Sequence, residues 1–324
     1  MDKKILVSVD AVGKRYGDLI AVNDVSFYLK QGEVLGFLGA NGAGKSTTMN
    51  MLCGVLAPTH GTITIAGHDV VKDPIEAKRK LGYLPEQPPL YRDLSVDEYL
   101  TYCAGLRGVP AKQRRQRISE TKQRCGLSEV GRRIIGQLSK GYQQRVGIAQ
   151  AIVHLPPLIV LDEPTVGLDP VQVREIRGLI RDLAHDHGVI LSTHILPEVQ
   201  AICDRVQILN HGCIIFSDDI SALTQHLSAA SLLLSVRKQP DLEALSALAG
   251  VVGITDKGDK HFLLDIDETN NPAERVAEYV VSNQLGLYEL IPQHMDLEQM
   301  FVDITTQETE RRADEMLSTE RAQR

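Results

Sequence analysis

The sequence predicts an α/β protein organised around a phosphate-binding loop, followed by a smaller α+β domain. Three observations carry that prediction. Residues 39–47, Gly-Ala-Asn-Gly-Ala-Gly-Lys-Ser-Thr, fit the spacing G-x-x-x-x-G-K-[ST] between an apolar run at 33–38 and a helical pattern from Ser46 onward. The apolar runs at 158–163 and 189–194 read as further buried, parallel-type strands, and both end on polar residues. The charge balance changes near residue 217: residues 1–216 carry 26 basic and 22 acidic groups, whereas residues 217–306 carry 5 and 15.

The chain has 324 residues, enough for two domains, and its 43 % hydrophobic and 24 % charged content is ordinary for a soluble globular protein. No apolar run approaches the length that spans a bilayer, and the first residues do not form a signal peptide, so a cytoplasmic location is expected. Cys53, Cys103, Cys125, Cys203 and Cys213 are odd in number, scattered and without a CxxC, which predicts reduced thiols rather than disulfides or a zinc site. An acidic second module argues against nucleic acid as a partner, because phosphate contacts need Lys and Arg.

Taken in order, residues 5–12 and 25–30 alternate as antiparallel strands, with 14–18 as the turn region. Tyr16 in that region is an aromatic that could stack on a base, although a Tyr near a turn is often plain packing. In the loop, Gly39, Asn41, Gly42, Ala43 and Gly44 let consecutive backbone N–H groups converge on phosphate oxygens. Lys45 adds a mobile positive charge, and the Ser46 hydroxyl can reach a divalent cation. A loop helix at about 46–56, a short strand at 62–65 and a helix at about 74–80 lead to a strand at 81–84. Gln87 follows it in a proline-rich turn, where the carboxyl end of a strand faces the phosphate crevice.

From Ser95 to Gln137 the pattern is helical, opened by a capping box of Ser95 and Glu98. Seven basic groups fall between residues 107 and 124 against the single acid Glu120, read as a solvated face, with contact to anionic headgroups as the alternative. Ser139 and Gly141 open another helix and form a second possible phosphate site. Asp162 and Glu163 close the strand at 158–163; paired carboxylates there suit a cation ligand and a base for water, or a helix cap with its neighbour. Asp169 precedes Pro170 at a helix start, and His194 ends the strand that begins at 189.

Together these stretches resemble the nucleotide-binding subunit of ATP-binding cassette transporters. The order is the family's: Tyr16, loop 39–47, Gln87, Leu138-Ser139-Lys140-Gly141-Tyr142, the strand ending in Asp162 and Glu163, Asp169, then His194. The resemblance implies a P-loop NTPase fold of ABC ATPase type over residues 1–220, with a helical subdomain at about 90–150. It implies that Tyr16 stacks on adenine and that Lys45, Ser46 and Thr47 hold phosphates and Mg²⁺, with Gln87 and Asp162 completing the metal shell. Glu163 would be the general base and His194 would contact the γ-phosphate. ATP would be sandwiched between two head-to-tail subunits, so that Ser139 and Gly141 reach the nucleotide of the other copy and Asp169 lies at that interface. The signature departs from the common Leu-Ser-Gly-Gly-Gln at Lys140 and Tyr142. With Ile195-Leu196-Pro197-Glu198-Val199, that variant is similar to ABC-2 type exporter ATPases of the gliding-motility and multidrug-export groups. Such a subunit works at the inner face of the membrane through a separate integral permease. Importer subunits, and soluble ATP switches acting on ribosomes or DNA, share the same catalytic residues; the switches generally carry two cassettes or a long coiled-coil insertion.

Residues 221–306 read as an accessory domain in the order strand, helix, strand, strand, helix, strand, which suggests a ferredoxin-like unit, with 297–303 as a closing helix. No catalytic constellation occurs in it, so a regulatory or dimerising role is expected. Residues 307–324 form a mixed-charge tail.

Overall fold

Two apolar strand classes in the sequence become two sheets in the first part of the chain. The structure, a computed structural model, describes residues 4–221, 231–267 and 272–293. The chain divides into two compact units, Met1–Ile220 and Ser221–Arg324.

In the first unit, β1 (Ile5–Tyr16), β2 (Leu19–Lys30), β4 (His60–Ile65) and β5 (His68–Asp69) form an antiparallel sheet in the order β2-β1-β4-β5. β1 and β2 run further than the alternation predicted, because only Gly17 and Asp18 turn the chain and Tyr16 pairs with Leu19. The second sheet is ordered β10-β9-β3-β8-β7-β6. Its members β3 (Val34–Leu38), β6 (Leu81–Leu84), β7 (Leu158–Asp162), β8 (Gly188–Thr193) and β9 (Arg205–Asn210) are parallel, and β10 (Cys213–Asp219) is antiparallel to β9. Every residue of β3, β7 and β8 is buried, as expected for strands covered on both faces. Because these three strands are neighbours and parallel, the residues that follow their carboxyl ends gather at one edge of the sheet.

The helices are α1 (Lys45–Leu52), α2 (Pro74–Arg79), α3 (Val96–Leu106), α4 (Ala111–Arg124), α5 (Lys140–Ile152), α6 (Pro170–Ala184) and α7 (Leu196–Ile202). α1 ends earlier than predicted, with Gly54 at φ 63° past its end. The stretch predicted as helical over 95–137 is two helices followed by single 3₁₀ turns at Ser128–Val130 and Ile135–Gln137. Gly108 and Gly126, both at positive φ, together with Pro110, interrupt it. The capping box is present: Ser95 Oγ accepts from Glu98 N, and Ser95 N donates to Glu98. α5 lies close on β6, where Gln150 Nε2 donates to the Tyr83 carbonyl at 2.8 Å; a Cβ at Gly82 would fall 2.1 Å from the Ala151 carbonyl oxygen.

The second unit has its own core. β11 (Ser231–Val236), α8 (Leu242–Ser246), β12 (Val251–Gly258), β13 (His261–Ile266), α9 (Pro272–Ser282) and β14 (Leu287–Gln293) follow the predicted order. The all-antiparallel sheet runs β12-β13-β11-β14, the ferredoxin-like arrangement. Alternation sends Leu232, Leu234, Phe262 and Leu264 to one face, where they pack with Leu245, Val276 and Val280. Asp241 caps α8 by accepting from Glu243 N and Ala244 N. The closing helix expected at 297–303 and the tail at 307–324 lie outside the described residues.

Candidate functional site

At the carboxyl edge of the parallel strands, residues 39–44 turn the chain from β3 into α1 around a cavity of about 330 Å³. Asn41, Gly42, Gly44, Lys45, Ser46, Thr47, Glu86, Glu163 and His194 line it, with Ala21 from β2 and Val166. Gly44 sits at φ 104°, and a Cβ there would lie 2.7 Å from the Ala21 carbonyl oxygen; a Cβ at Gly212 would lie at the same distance from that oxygen. Gly39 is equally confined, 2.6 Å from the Leu209 carbonyl. The loop therefore follows a path that side chains would block.

Lys45 is 6 % exposed. Its Nζ donates to the carbonyls of Gly39 at 2.7 Å and Ala40 at 3.2 Å and lies 3.7 Å from Glu163 Oε1. Burial lowers the Lys45 pKa, and the negative charges of Glu163, Asp162 and Glu86 oppose that shift. Burial raises the Asp162 pKa, while the Ser192 hydroxyl, which donates to Asp162 Oδ1, favours its ionised form. Glu163 is buried and adopts φ 48°, unusual for a residue with a side chain. Its N–H is held by the Ser192 carbonyl at 3.0 Å and the Ser192 hydroxyl at 3.3 Å. His194 Nδ1 lies 3.1 and 3.0 Å from the two Glu163 carboxylate oxygens.

Gln87 is not among the residues lining this cavity. It lines an adjacent cleft with Pro88, Leu90, Arg92, Lys140, Gln143 and Gln144, and its neighbour Glu86 borders both spaces. Tyr16 ends β1 about half exposed, with Lys14 Nζ 5.2 Å from its ring centre, and does not line the phosphate cavity. Ser139 caps α5, accepting from Tyr142 N. With Gly141, Tyr142, Arg145, Asp169 and Gln172 it lines a separate concavity. Asp169 caps α6 through Val171 N at 3.0 Å and Gln172 N at 2.9 Å. One chain thus keeps Ser139 and Gly141 apart from Lys45.

A family model described as ABC transporter matches residues 22–166. The uncharacterised ABC transporter ATP-binding protein YxlF of Bacillus subtilis is 36 % identical over 72 % of this chain and 78 % of its own length. The chain belongs to the ABC transporter ATP-binding subunits. The linearmycin resistance ATP-binding protein LnrL of Bacillus subtilis aligns with 93 % of this chain and 98 % of its own length at 30 % identity. The bacitracin transport ATP-binding protein BcrA of Bacillus licheniformis is 38 % identical over 64 % of the chain and 67 % of its own length. Among solved structures, an ATP-binding subunit of an ABC transporter superposes with TM-score 0.62 at 30 % identity, over 68 % of this chain and 92 % of that one. The dimeric bacterial ABC transporter cassette MJ0796 does so with TM-score 0.61 at 27 % identity, over 66 % and 99 %. The family hydrolyses ATP.

The polar groups around that cavity also fit the magnesium ion expected with ATP. Ser46 lines the cavity and offers a hydroxyl; Asp162, a buried carboxylate hydrogen-bonded to Ser46, stands behind it rather than among the lining residues; both are hard oxygen donors, and phosphate oxygens and water would supply the rest. Among the described residues no group of three or more His, Cys, Asp or Glu side chains could hold a metal ion.

Sequence reasoning missed Glu86, Ser192, Thr165 and Glu198. A carboxylate directly after Pro85 was the only signal for Glu86, and Ser192 and Glu198 act through contacts with distant residues. The basic run of 107–124 is largely spoken for. Lys122 pairs with Asp97, Arg124 with Asp186 and Arg117 with Glu120, while Arg107 and Arg114 donate to backbone carbonyls. Among the described residues no helix is long and apolar enough to cross a membrane. Cys53, Cys103, Cys125 and Cys203 are buried free thiols, and Cys213 is free and partly buried.

Proposed function

We propose that this cassette is the ATP-hydrolysing subunit of an ABC exporter that acts through a separate ABC-2 type permease. The observation that carries the chemistry is the convergence of Lys45, Glu163 and His194 on one cavity at the mouth of the phosphate loop. Lys45 exchanges its carbonyl and Glu163 partners for the β- and γ-phosphates, and the loop N–H groups neutralise the rest of their charge. Glu163, released from Lys45, orients and deprotonates the attacking water; His194 steadies that carboxylate and the terminal phosphate. Ser46 and Asp162 would hold Mg²⁺, which would offset charge on the phosphate oxygens. Glu86, which borders the cavity, takes the place first expected of Gln87 on the metal side. Tyr16 stacks on adenine. Two copies assemble head to tail, with Ser139 and Gly141 of one completing the ATP site of the other and Asp169 at the seam; the dimeric neighbour supports this arrangement. The helical part between α3 and α5 receives the permease at the inner face of the membrane.

Export is favoured because two relatives carry names of antibiotic transport and resistance, and one of them aligns through the second unit as well. The ferredoxin-like unit regulates or joins the copies. Co-expression with an ABC-2 type permease from the same organism tests the reading. A stable detergent-solubilised complex with permease-dependent ATPase activity is expected. A cassette that stays soluble and is stimulated by ribosomes or DNA would favour the soluble switch, and a neighbouring gene for a periplasmic binding protein would favour import.

A further inference from the structure

Glu198 lies on α7, four residues beyond His194, and is 1 % exposed. A carboxylate so deep in the fold is costly unless its oxygens are occupied. Here both are. Oε1 accepts from the Thr165 hydroxyl at 2.5 Å and has Arg177 Nη2 at 3.7 Å; Oε2 accepts from the Thr193 hydroxyl at 3.0 Å. Thr193 Oγ1 in turn accepts from Ile195 N at 3.1 Å.

The partners stand on three separate elements. Thr165 is two residues past Glu163, in the turn that leaves β7; Thr193 is the last residue of β8, directly before His194; Arg177 is on α6, which Asp169 caps. One carboxylate therefore fixes the backbone on the far side of both residues of the Glu163–His194 pair. Glu163 needs such support, because its left-handed φ of 48° persists only where surrounding contacts determine it. Arg177 Nε is buried with no hydrogen-bond partner, and the arginine reaches this network through Nη2.

We infer that Glu198 is a positioning residue that sets the geometry of Glu163 against His194 and, through Arg177, ties it to α6. This rests on the hydrolytic role given to Glu163 above. A displacement of α6 passes to the Glu163 turn and to His194 together, since the same carboxylate holds both threonines. Glu198 itself does not line the phosphate cavity.

The test compares the purified full-length cassette with its Glu198→Leu, Glu198→Gln and Glu163→Gln variants. It measures kcat at saturating ATP, affinity for a fluorescent ATP analogue and the thermal unfolding midpoint. Misplacing a reacting group by about 1 Å costs roughly a hundredfold, so Glu198→Leu should lower kcat at least about tenfold with analogue affinity within about twofold of wild type. Glu198→Gln, which keeps the shape and one acceptor, should recover kcat to within about threefold. An unchanged kcat in Glu198→Leu, or a loss of affinity that parallels the loss of kcat, overturns the assignment. If Glu198→Leu does not fold, Thr165→Val and Thr193→Val are decisive: each should lower kcat with affinity unchanged, and wild-type kcat in both overturns it. Glu163→Gln separates the two levels. Its normal turnover refutes the role of Glu163, whereas its inactivity beside fully active Glu198 and threonine variants refutes only the role of Glu198.

Discussion

A single nitrogen, His194 Nδ1, sits 3.0 and 3.1 Å from the two oxygens of the Glu163 carboxylate. Lys45 Nζ lies 3.7 Å from one of the same oxygens, so Glu163 is engaged on both sides. Phosphate can release the lysine, because it offers Nζ stronger acceptors than the two loop carbonyls. The histidine contact does not involve Lys45.

Glu163→Gln should therefore bind ATP as wild type does and accumulate as a closed dimer in size-exclusion chromatography. Its turnover should fall by about a hundredfold or more, the range for loss of a general base. Normal turnover would remove Glu163 from the chemistry.

Glu86 and Gln87 separate cleanly by mutation, since only Glu86 lines the phosphate cavity. Replacing Glu86 with Ala should raise the Mg²⁺ concentration needed for ATP binding about tenfold, the lower end for groups that support a metal site. Gln87→Ala should leave that requirement where it was. A titration of nucleotide binding against Mg²⁺ that gave the opposite ranking would return the role to Gln87.

Ser192 holds both members of the acidic pair, donating to Asp162 and accepting from Glu163 N. Ser192→Ala frees the Asp162 carboxylate to rotate. We expect Mg²⁺-dependent ATP affinity to drop about tenfold while affinity for ATP in EDTA stays constant, both read by equilibrium binding. Equal loss in both conditions would mean that the hydroxyl supports only the fold.

Two histidines away from the cavity set a pH limit on stability. Burial lowers the His154 pKa from 6.5 to about 4, and lowers that of His187 as well. Both pKa values are depressed for groups that are charged when protonated, so between about pH 6.5 and 4 the unfolded chain binds more protons than the native one. Stability is then complete above pH 6.5 and declines as the pH falls toward 4. Urea unfolding midpoints across that window should show the decline. His154→Gln should flatten part of it, and a midpoint independent of pH would contradict the burial argument.

The second unit invites a truncation. Removal of the chain beyond about residue 225 should leave ATP affinity within about twofold, because no residue of the ATP site lies there, and should change the ATPase rate or the dimerisation constant severalfold. Unchanged rate and dimerisation, measured by sedimentation, would leave the unit with a passive role.

Much of the site was legible because its chemistry is local in sequence. Gly39 to Thr47 carry spacing and strand-loop-helix context within a dozen residues, and Asp162 and Glu163 follow an unbroken apolar strand. Gln87 lines the cleft next to the cavity, while its neighbour Glu86 lines both. In a turn between Pro85 and Pro88, period-based reading gives no clue to which of two adjacent polar residues faces the crevice. The strand ends near Tyr16 were missed because Gly17 and Asp18 turn the chain in two residues, too few to interrupt the alternation visibly. Ser192 and Glu198 were beyond reach: Asp162, Glu163 and Thr165, which they hold, lie about thirty residues away in sequence and meet them only when β7, β8 and α7 are packed together.

The Ala21 carbonyl meets the space above both Gly44 and Gly212, within 2.7 Å of where either residue would carry a methyl group. Asn23 N also donates to the Gly212 carbonyl at 2.8 Å, so the phosphate loop, the hairpin between β9 and β10, and the antiparallel sheet meet at one crowded joint. A methyl at either position would be a wedge between the two sheets, pushing β2 away from the rim of the cavity before ATP arrived. What forbids a side chain at these glycines is the thickness of a neighbouring strand added to their own backbone, at φ 104° and 79°.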